Sequence, residues 1–315
     1  MKSAPNQLET YRPNNARAIL ICGALFTLSG LTLGLSLHSS LLLWALGQVG
    51  LSLCLVQWFV VLHECGHRAF FSNQRFNVWL GLLAGVLAIF PFFCWRSIHH
   101  QHHRWTGWQD KDPTTELLVT NRTHPVARIV MNFCWRANLP LFALVYRLNN
   151  YWNVPRLRTL FPQPNHQKKH IINIVVQLAL YSLLISWFGI GSLLWTVGIA
   201  YLLMNIMLDV ILLSQHSHIP MHVSKGEKVP PFTYLEQLTF TRSLRFPPLI
   251  SRFWLLGFDL HSLHHEIPTV PGYHLSKLYR LTPNEVSWWR WTLEAKCTPA
   301  DVFLFSSREK SGLSL

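Results

Sequence analysis

Charged side chains are scarce in this sequence and absent from long stretches of it. Only 13% of the 315 residues are charged, and the acids are outnumbered, 14 against 27 bases. With 50% of the chain hydrophobic and a mean hydropathy of +0.21, so thin a charge density excludes a disordered segment and an ordinary soluble domain. No Lys or Arg occurs between Arg17 and Arg68, between Arg75 and Arg96, or between Lys169 and Lys225. The six cysteines form no C-x-x-C, and Cys22, Cys54 and Cys94 sit in apolar runs as small hydrophobes. Long-period repeats, low-complexity tracts and clear linkers are also missing, which points to a single domain over residues 1–315.

What the chain does have is long apolar runs. Residues 18–37, 41–62, 171–190 and 192–214 are each long enough to cross a hydrocarbon core, which takes about 20 apolar residues. A fifth run, 77–95, is borderline. The bases fall outside all five runs, and bases mark cytoplasmic segments. The uncharged links at 38–40 and around Gly191 are therefore the expected outer turns, and both termini are expected in the cytoplasm. The formal charge of +13 then serves topology and attraction to anionic lipid headgroups. A nucleic-acid partner would need a basic face on a soluble domain, and none is readable. The run that starts at Ala18 is too long for a cleaved signal peptide and is read as a retained first span.

Seventeen histidines stand against this background. Polar side chains are costly in a membrane protein and need a reason. Residues 63–67 read HECGH, an H-x-x-x-H pair that also spells the H-E-x-x-H of zinc metalloproteases. Residues 99–103 read HHQHH, which gives His99, His102 and His103 the spacing H-x-x-H-H. Residues 261–265, HSLHH, repeat it with His261, His264 and His265. On a helix, positions i, i+3 and i+4 share a face, so each cluster is expected to direct three imidazoles at one point. With His63 and His67 that makes eight, more than one catalytic zinc needs. Two metal ions are implied, and imidazole suits iron, whose open coordination positions can take dioxygen.

In these segments the chain resembles the integral-membrane fatty acyl desaturase and hydroxylase superfamily, which carries three such histidine boxes. HECGH followed by AFFS is similar to the first box of acyl-lipid desaturases of the delta-12 and omega-3 type. WRSIHHQHHRWTGWQDKDP is similar to the second box with its flanks, and DLHSLHHEIPTVPGYHL to the third. QHSHIP at 215–220 resembles the segment after the last span, and nominates His216 as a ninth ligand with His218 as the competing candidate. The resemblance runs from about His63 to Tyr273. It implies two irons that use O2 to remove hydrogen from an unactivated methylene of a fatty acyl lipid or thioester. The implied ligands are His63, His67, His99, His102, His103, His216, His261, His264 and His265. Glu64, Asp259 beside the third box, and Asp209, seven residues before His216, are expected to orient ligand rings. His100, His222 and His274 are read as supporting or structural, while His38, His124, His166 and His170 lack any box spacing.

Ligands that share a centre must meet on one side of the membrane. The paired spans 171–190 and 192–214 return the chain to its starting face, but a crossing by 77–95 would separate the first two boxes. That run is therefore expected to lie in the interface or to dip in and return, with Pro91 as the bend. Residues 127–152 and 246–258 mix arginines, aromatics and apolar residues as membrane-surface segments do. The pairs Gly30/Gly34 and Gly81/Gly85 have the G-x-x-x-G spacing that permits close helix contact. The predicted fold is all-α: four transmembrane helices, interfacial helices and a cytosolic histidine-rich cap. A bacterial inner membrane is favoured over the endoplasmic reticulum.

A zinc protease reading uses HECGH but leaves the other two boxes idle, and an N-P-D-G or L-D-G segment is missing. A carboxylate di-iron bundle needs two E-x-x-H motifs with further glutamates, and Glu64/His67 is the only one. The alternative that the boxes leave open is a fatty acyl hydroxylase or a carotenoid ketolase or hydroxylase of the same superfamily. There is no H-P-G-G heme segment, cysteine cluster or nucleotide fingerprint. Electrons are therefore expected from a separate ferredoxin or cytochrome b5.

Overall fold

A computed structural model describes residues 9–118 and 124–313. The first eight residues and the last two, for which the charge pattern predicts a cytoplasmic position, lie outside the described residues. In chain order the helices are α1 (Asn15–Ser36), α2 (Leu41–Gly66), α3 (Gln74–Ala88), α4 (Phe92–Trp105), α5 (Pro125–Arg136), α6 (Leu141–Arg147), α7 (Val154–Leu160), α8 (Pro164–Phe188), α9 (Ile190–His216), α10 (His261–Glu266), α11 (Gly272–Leu275), α12 (Trp288–Cys297), α13 (Ala300–Phe305) and α14 (Arg308–Ser311). Among the described residues the only strands are a short parallel pair, β1 (Leu244–Arg245) and β2 (Val286–Ser287). The fold is all-α, and among the described residues four single helices are long and apolar enough to cross a membrane: α1, α2, α8 and α9. The turn between the last two falls at Gly189, with φ 73°, two residues before the predicted link. The chain divides into two compact units, one of residues up to Arg96 with Arg147–Met207, the other of Ser97–Tyr146 with residues from Leu208 onward.

In the first unit α1 begins where Asn14 accepts a hydrogen bond from the Arg17 N–H (2.9 Å), the usual N-cap arrangement. The apolar stretches of α1 and α8 are only 11% buried, against 72% for α2, so α2 is the unit's core. Ile19, Leu20, Val175 and Val176 are exposed, as lipid-facing side chains of a span are. α9 contains a π-turn at Leu194–Gly198. The Gln48 amide spans it, donating to the Thr196 carbonyl (2.6 Å) and accepting from the Ala200 N–H (2.9 Å).

The borderline run is a broken helix, as expected. α3 and α4 meet at 100° across a short break. The reversal is made at Ile89, which has φ 60°, just ahead of Pro91. A β-branched residue in the left-handed region is strained and persists only where its surroundings hold it. Gln177 donates to the Gly85 carbonyl (3.1 Å), Tyr181 to that of Val86 (2.8 Å), Tyr201 to that of Leu87 (2.6 Å) and Trp152 to that of Ile89 (3.3 Å). The Asn173 side chain accepts from the Phe93 N–H (2.8 Å) on the other side of the break. Helix ends inside a membrane need such partners because lipid offers none. A Cβ on Gly85 would stand 2.4 Å from the Phe90 carbonyl oxygen, and one on Gly81 would stand 2.3 Å from the Phe92 ring. That glycine pair therefore serves the chain's own return, whereas Gly30 and Gly34 face open space.

In the second unit α5 shows the two faces expected of a membrane-surface helix. Val126, Ile129 and Phe133 are exposed while Trp135 is fully buried. Trp135 stacks on Phe303 (centroids 5.3 Å apart) and donates to the Ala295 carbonyl (2.8 Å). Leu244, Trp291, Ala300 and Leu304 complete this core, so α12 and α13 are structural parts of the unit. Lys296 donates to the Trp135 carbonyl (2.8 Å), and burial pushes its ammonium down to about 8.

Candidate metal centre

α4 carries His99, His102 and His103, α9 ends on His216, and α10 carries His261, His264 and His265. Residues of a helix turn by about 100° each, so positions i+3 and i+4 fall on opposite sides of position i. Each box accordingly divides between two points, where the spacing had suggested one. From α4, His102 joins His216, His261 and His265; from α10, His264 joins His99 and His103. Within each of these groups the candidate ligand nitrogens lie within 4.8 Å of one another. The Nε2 atoms of His216 and His261 are 2.8 Å apart, and His103 Nε2 lies 3.1 Å from those of both His99 and His264. The groups touch through the stacked rings of His103 and His265, with centroids 4.1 Å apart.

Three of the outer ring nitrogens are already committed, those of His102, His216 and His265. Asp112, fully buried, lies 2.7 Å from His102 Nδ1 through its Oδ2. The Phe240 carbonyl is 3.1 Å from His216 Nδ1, and the Gln237 Oε1 is 2.9 Å from His265 Nδ1. Gln237 is oriented by donating its own amide N–H to the His103 carbonyl (2.8 Å). These three partners accept, so each Nδ1 carries the proton and each Nε2 presents a lone pair. His265 Nε2 is buried and, among the described residues, has no hydrogen-bond partner. Burial, then the neighbouring His103, His261, His102 and His216, push the His265 imidazolium well below its usual range and keep the ring neutral. Neutral imidazoles whose lone pairs converge fit a cation of the iron, zinc or copper kind.

In the first unit His63, near the end of α2, and His67, its C-cap residue, have ring centroids 4.8 Å apart. Glu64, buried, places Oε1 3.1 Å from His63 Nδ1, which again turns a lone pair outward at Nε2. The His63 ring packs edge-on to Trp95 (5.7 Å).

The remaining candidates are placed as follows. His218 belongs to neither group; it has φ 64° and its Nε2 lies 2.7 Å from the Ser311 hydroxyl. Asp209 accepts from the Ala143 N–H, which ties α9 to α6. Asp259 accepts from the Ser251 hydroxyl (2.8 Å), and burial pushes its carboxyl up to about 7. His274 is buried beside Tyr273, and His100 and His222 are exposed, His222 packing on Trp108 and Phe232. Asp112, Gln237 and Phe240 were not legible as ring partners. Asp112 stands ten residues beyond His102 in a turn, and Gln237 lies 28 residues before His265, so no helical spacing links them.

The family model described as fatty acid desaturase matches residues 15–290. The chain is 28% identical over 236 residues to a fatty acid desaturase of Bacillus subtilis (strain 168), covering 70% of this chain and 63% of that protein. It is 28% identical over 255 residues to the omega-6 fatty acid desaturase, endoplasmic reticulum isozyme 1, of Glycine max, covering 75% and 64%. Over a shorter stretch of 58 residues, 18% of this chain and 17% of the relative, it is 43% identical to an sn-1 oleoyl-lipid 12-desaturase of Picosynechococcus sp.. The chain thus spans somewhat under two-thirds of the length of the curated relatives it matches.

Proposed function

We propose that this chain, which belongs to the fatty acid desaturase family, introduces a double bond into a fatty acyl chain using O2 and electrons from a separate carrier. The observation that carries the reading is the group His102, His216, His261 and His265, with the outer nitrogens of His102, His216 and His265 held and the candidate ligand nitrogens of all four converging. We assign His63, His67, His99, His102, His103, His216, His261, His264 and His265 as ligands of two irons. Bound there, the irons would supply dioxygen activation and hydrogen removal from an unactivated methylene. The residues of the chain prepare that chemistry. Asp112, Gln237, the Phe240 carbonyl and Glu64 hold their rings in the ligating tautomer, and burial keeps bulk water from the nitrogens.

The substrate class follows from the names of the relatives together with the apolar spans, which suit an acyl tail on a lipid or a thioester. Reducing dioxygen fully to water takes more electrons than two C–H bonds release. A ferredoxin or cytochrome b5 would provide the rest. We place the termini and the metal centre on the cytoplasmic side of a bacterial inner membrane, on the distribution of bases, and treat the chain as one integral domain.

Expression in a host lacking the activity, followed by mass spectrometry of total fatty acids with double-bond localisation, tests the reading. New unsaturation at one position is expected, together with about two irons per chain, as a two-ion site requires. New hydroxyl groups, or altered carotenoids beside unchanged fatty acids, would replace it by a hydroxylase or carotenoid-modifying activity. One tightly held zinc and no iron would overturn it altogether.

A further inference from the structure

Arg242 is 2% exposed, and among the described residues no carboxylate pairs with it. A buried charge is expensive unless something of opposite sign faces it. Here the C-terminal end of α9 does so. Arg242 Nη1 donates to the Ser214 carbonyl (2.7 Å) and the Ser217 carbonyl (3.0 Å), and its backbone N–H donates to the Gln215 carbonyl (2.8 Å). The last carbonyls of a helix have no partner within it and carry the negative end of its dipole, so a guanidinium there is stabilised and in turn stops the turn from fraying. These three carbonyls surround His216, the final residue of α9, where a helix is least able to hold a side chain by itself.

The segment that brings Arg242 also holds the rings. The Phe240 carbonyl binds His216 Nδ1, and Gln237 binds His265 Nδ1. The Thr241 hydroxyl closes the segment by donating to the Gln237 carbonyl (3.1 Å). We propose that Arg242 is a positioning residue for the metal centre: it locks the last turn of α9 onto segment 237–242 and thereby aims His216 at one of the two ions. The inference rests on the two-ion reading above.

The test uses the full-length protein purified in detergent as wild type, Arg242→Gln, Arg242→Lys and His216→Ala. Iron per chain is followed as a chelator is raised, with circular dichroism and gel filtration on the same samples. The wild type is expected to release its two irons at high chelator. Arg242→Gln, still helical, is expected to release one iron at a chelator concentration about tenfold or more lower while keeping the other, as His216→Ala does. Arg242→Lys keeps the charge but not the planar fork, so a smaller weakening confined to the same iron is expected. Release of both irons in step by either variant, or loss of helical signal with the metal, overturns the inference in favour of a general folding role. Wild-type retention in both variants overturns it as well. A wild type that holds no iron fails the two-ion reading itself, which separates the two failures.

Discussion

Around Ile89, four side chains each donate to one carbonyl of a broken helix; around His265, the hydrogen bonds are spent on the outer ring nitrogens and the inner ones face each other. Both regions bury many polar atoms in a largely apolar chain. The first is closed on itself, since Gln177, Tyr181, Tyr201 and Trp152 complete what the bend opens. The second has ring bonds at the outer nitrogens of His102, His216 and His265, and among the described residues His265 Nε2 has no hydrogen-bond partner. Buried polar groups in native proteins are paired, and convergent imidazole nitrogens of this kind could hold a metal ion.

That contrast can be broken most severely at His265. His265→Ala removes one of four convergent nitrogens, and we expect iron to fall by about one per chain and new unsaturation to disappear from the fatty acid profile. Retained iron and retained unsaturation would show the group to be structural like the Ile89 network. A smaller loss is expected at the periphery. Asp112→Ala frees His102 to change tautomer, and should weaken one iron about 10–100-fold in chelator competition while the helical content stays that of the wild type. An unchanged release curve would mean that Asp112 serves only its bonds to Thr114 (2.8 Å).

The smallest effect should fall on stability alone. Gly85→Ala puts a Cβ against the Phe90 carbonyl and is expected to destabilise the protein by about 1–3 kcal/mol, read as a lower unfolding temperature in detergent. Iron per folded chain should not move. Gly34→Ala, which meets open space, is the matched control and should leave the unfolding temperature unchanged. Equal responses of the two would undo the distinction between the return of the chain at Gly85 and an idle glycine in a span.

Much of this was legible in the residues. Four runs free of Lys and Arg became α1, α2, α8 and α9, because hydropathy over a span-length window is a local property. The borderline run is bent by 100° near Pro91, and the residue in the left-handed region at the bend is Ile89. The histidine boxes were recognised, yet their division into two groups was not, because spacing on a helix says which residues share a face and not which partner helix each one meets. The resemblance nominates His216 as the ninth ligand, with His218 as the competing candidate. A left-handed turn at His218 and the hydroxyl of Ser311, 93 residues away, separate them.

From sequence alone came the kind of molecule and the ligand chemistry: apolar runs long enough to cross a membrane, and imidazoles at helical spacing that could hold a metal, both read from patterns that span a few turns at most. Only the tertiary structure decided which nitrogen of each ring points inward, since Asp112, Gln237, Phe240 and Arg242 act across separations that no helix or strand period encodes. A tautomer or a helix end is set by its hydrogen-bond partner, and that partner is chosen by the packing of the whole unit.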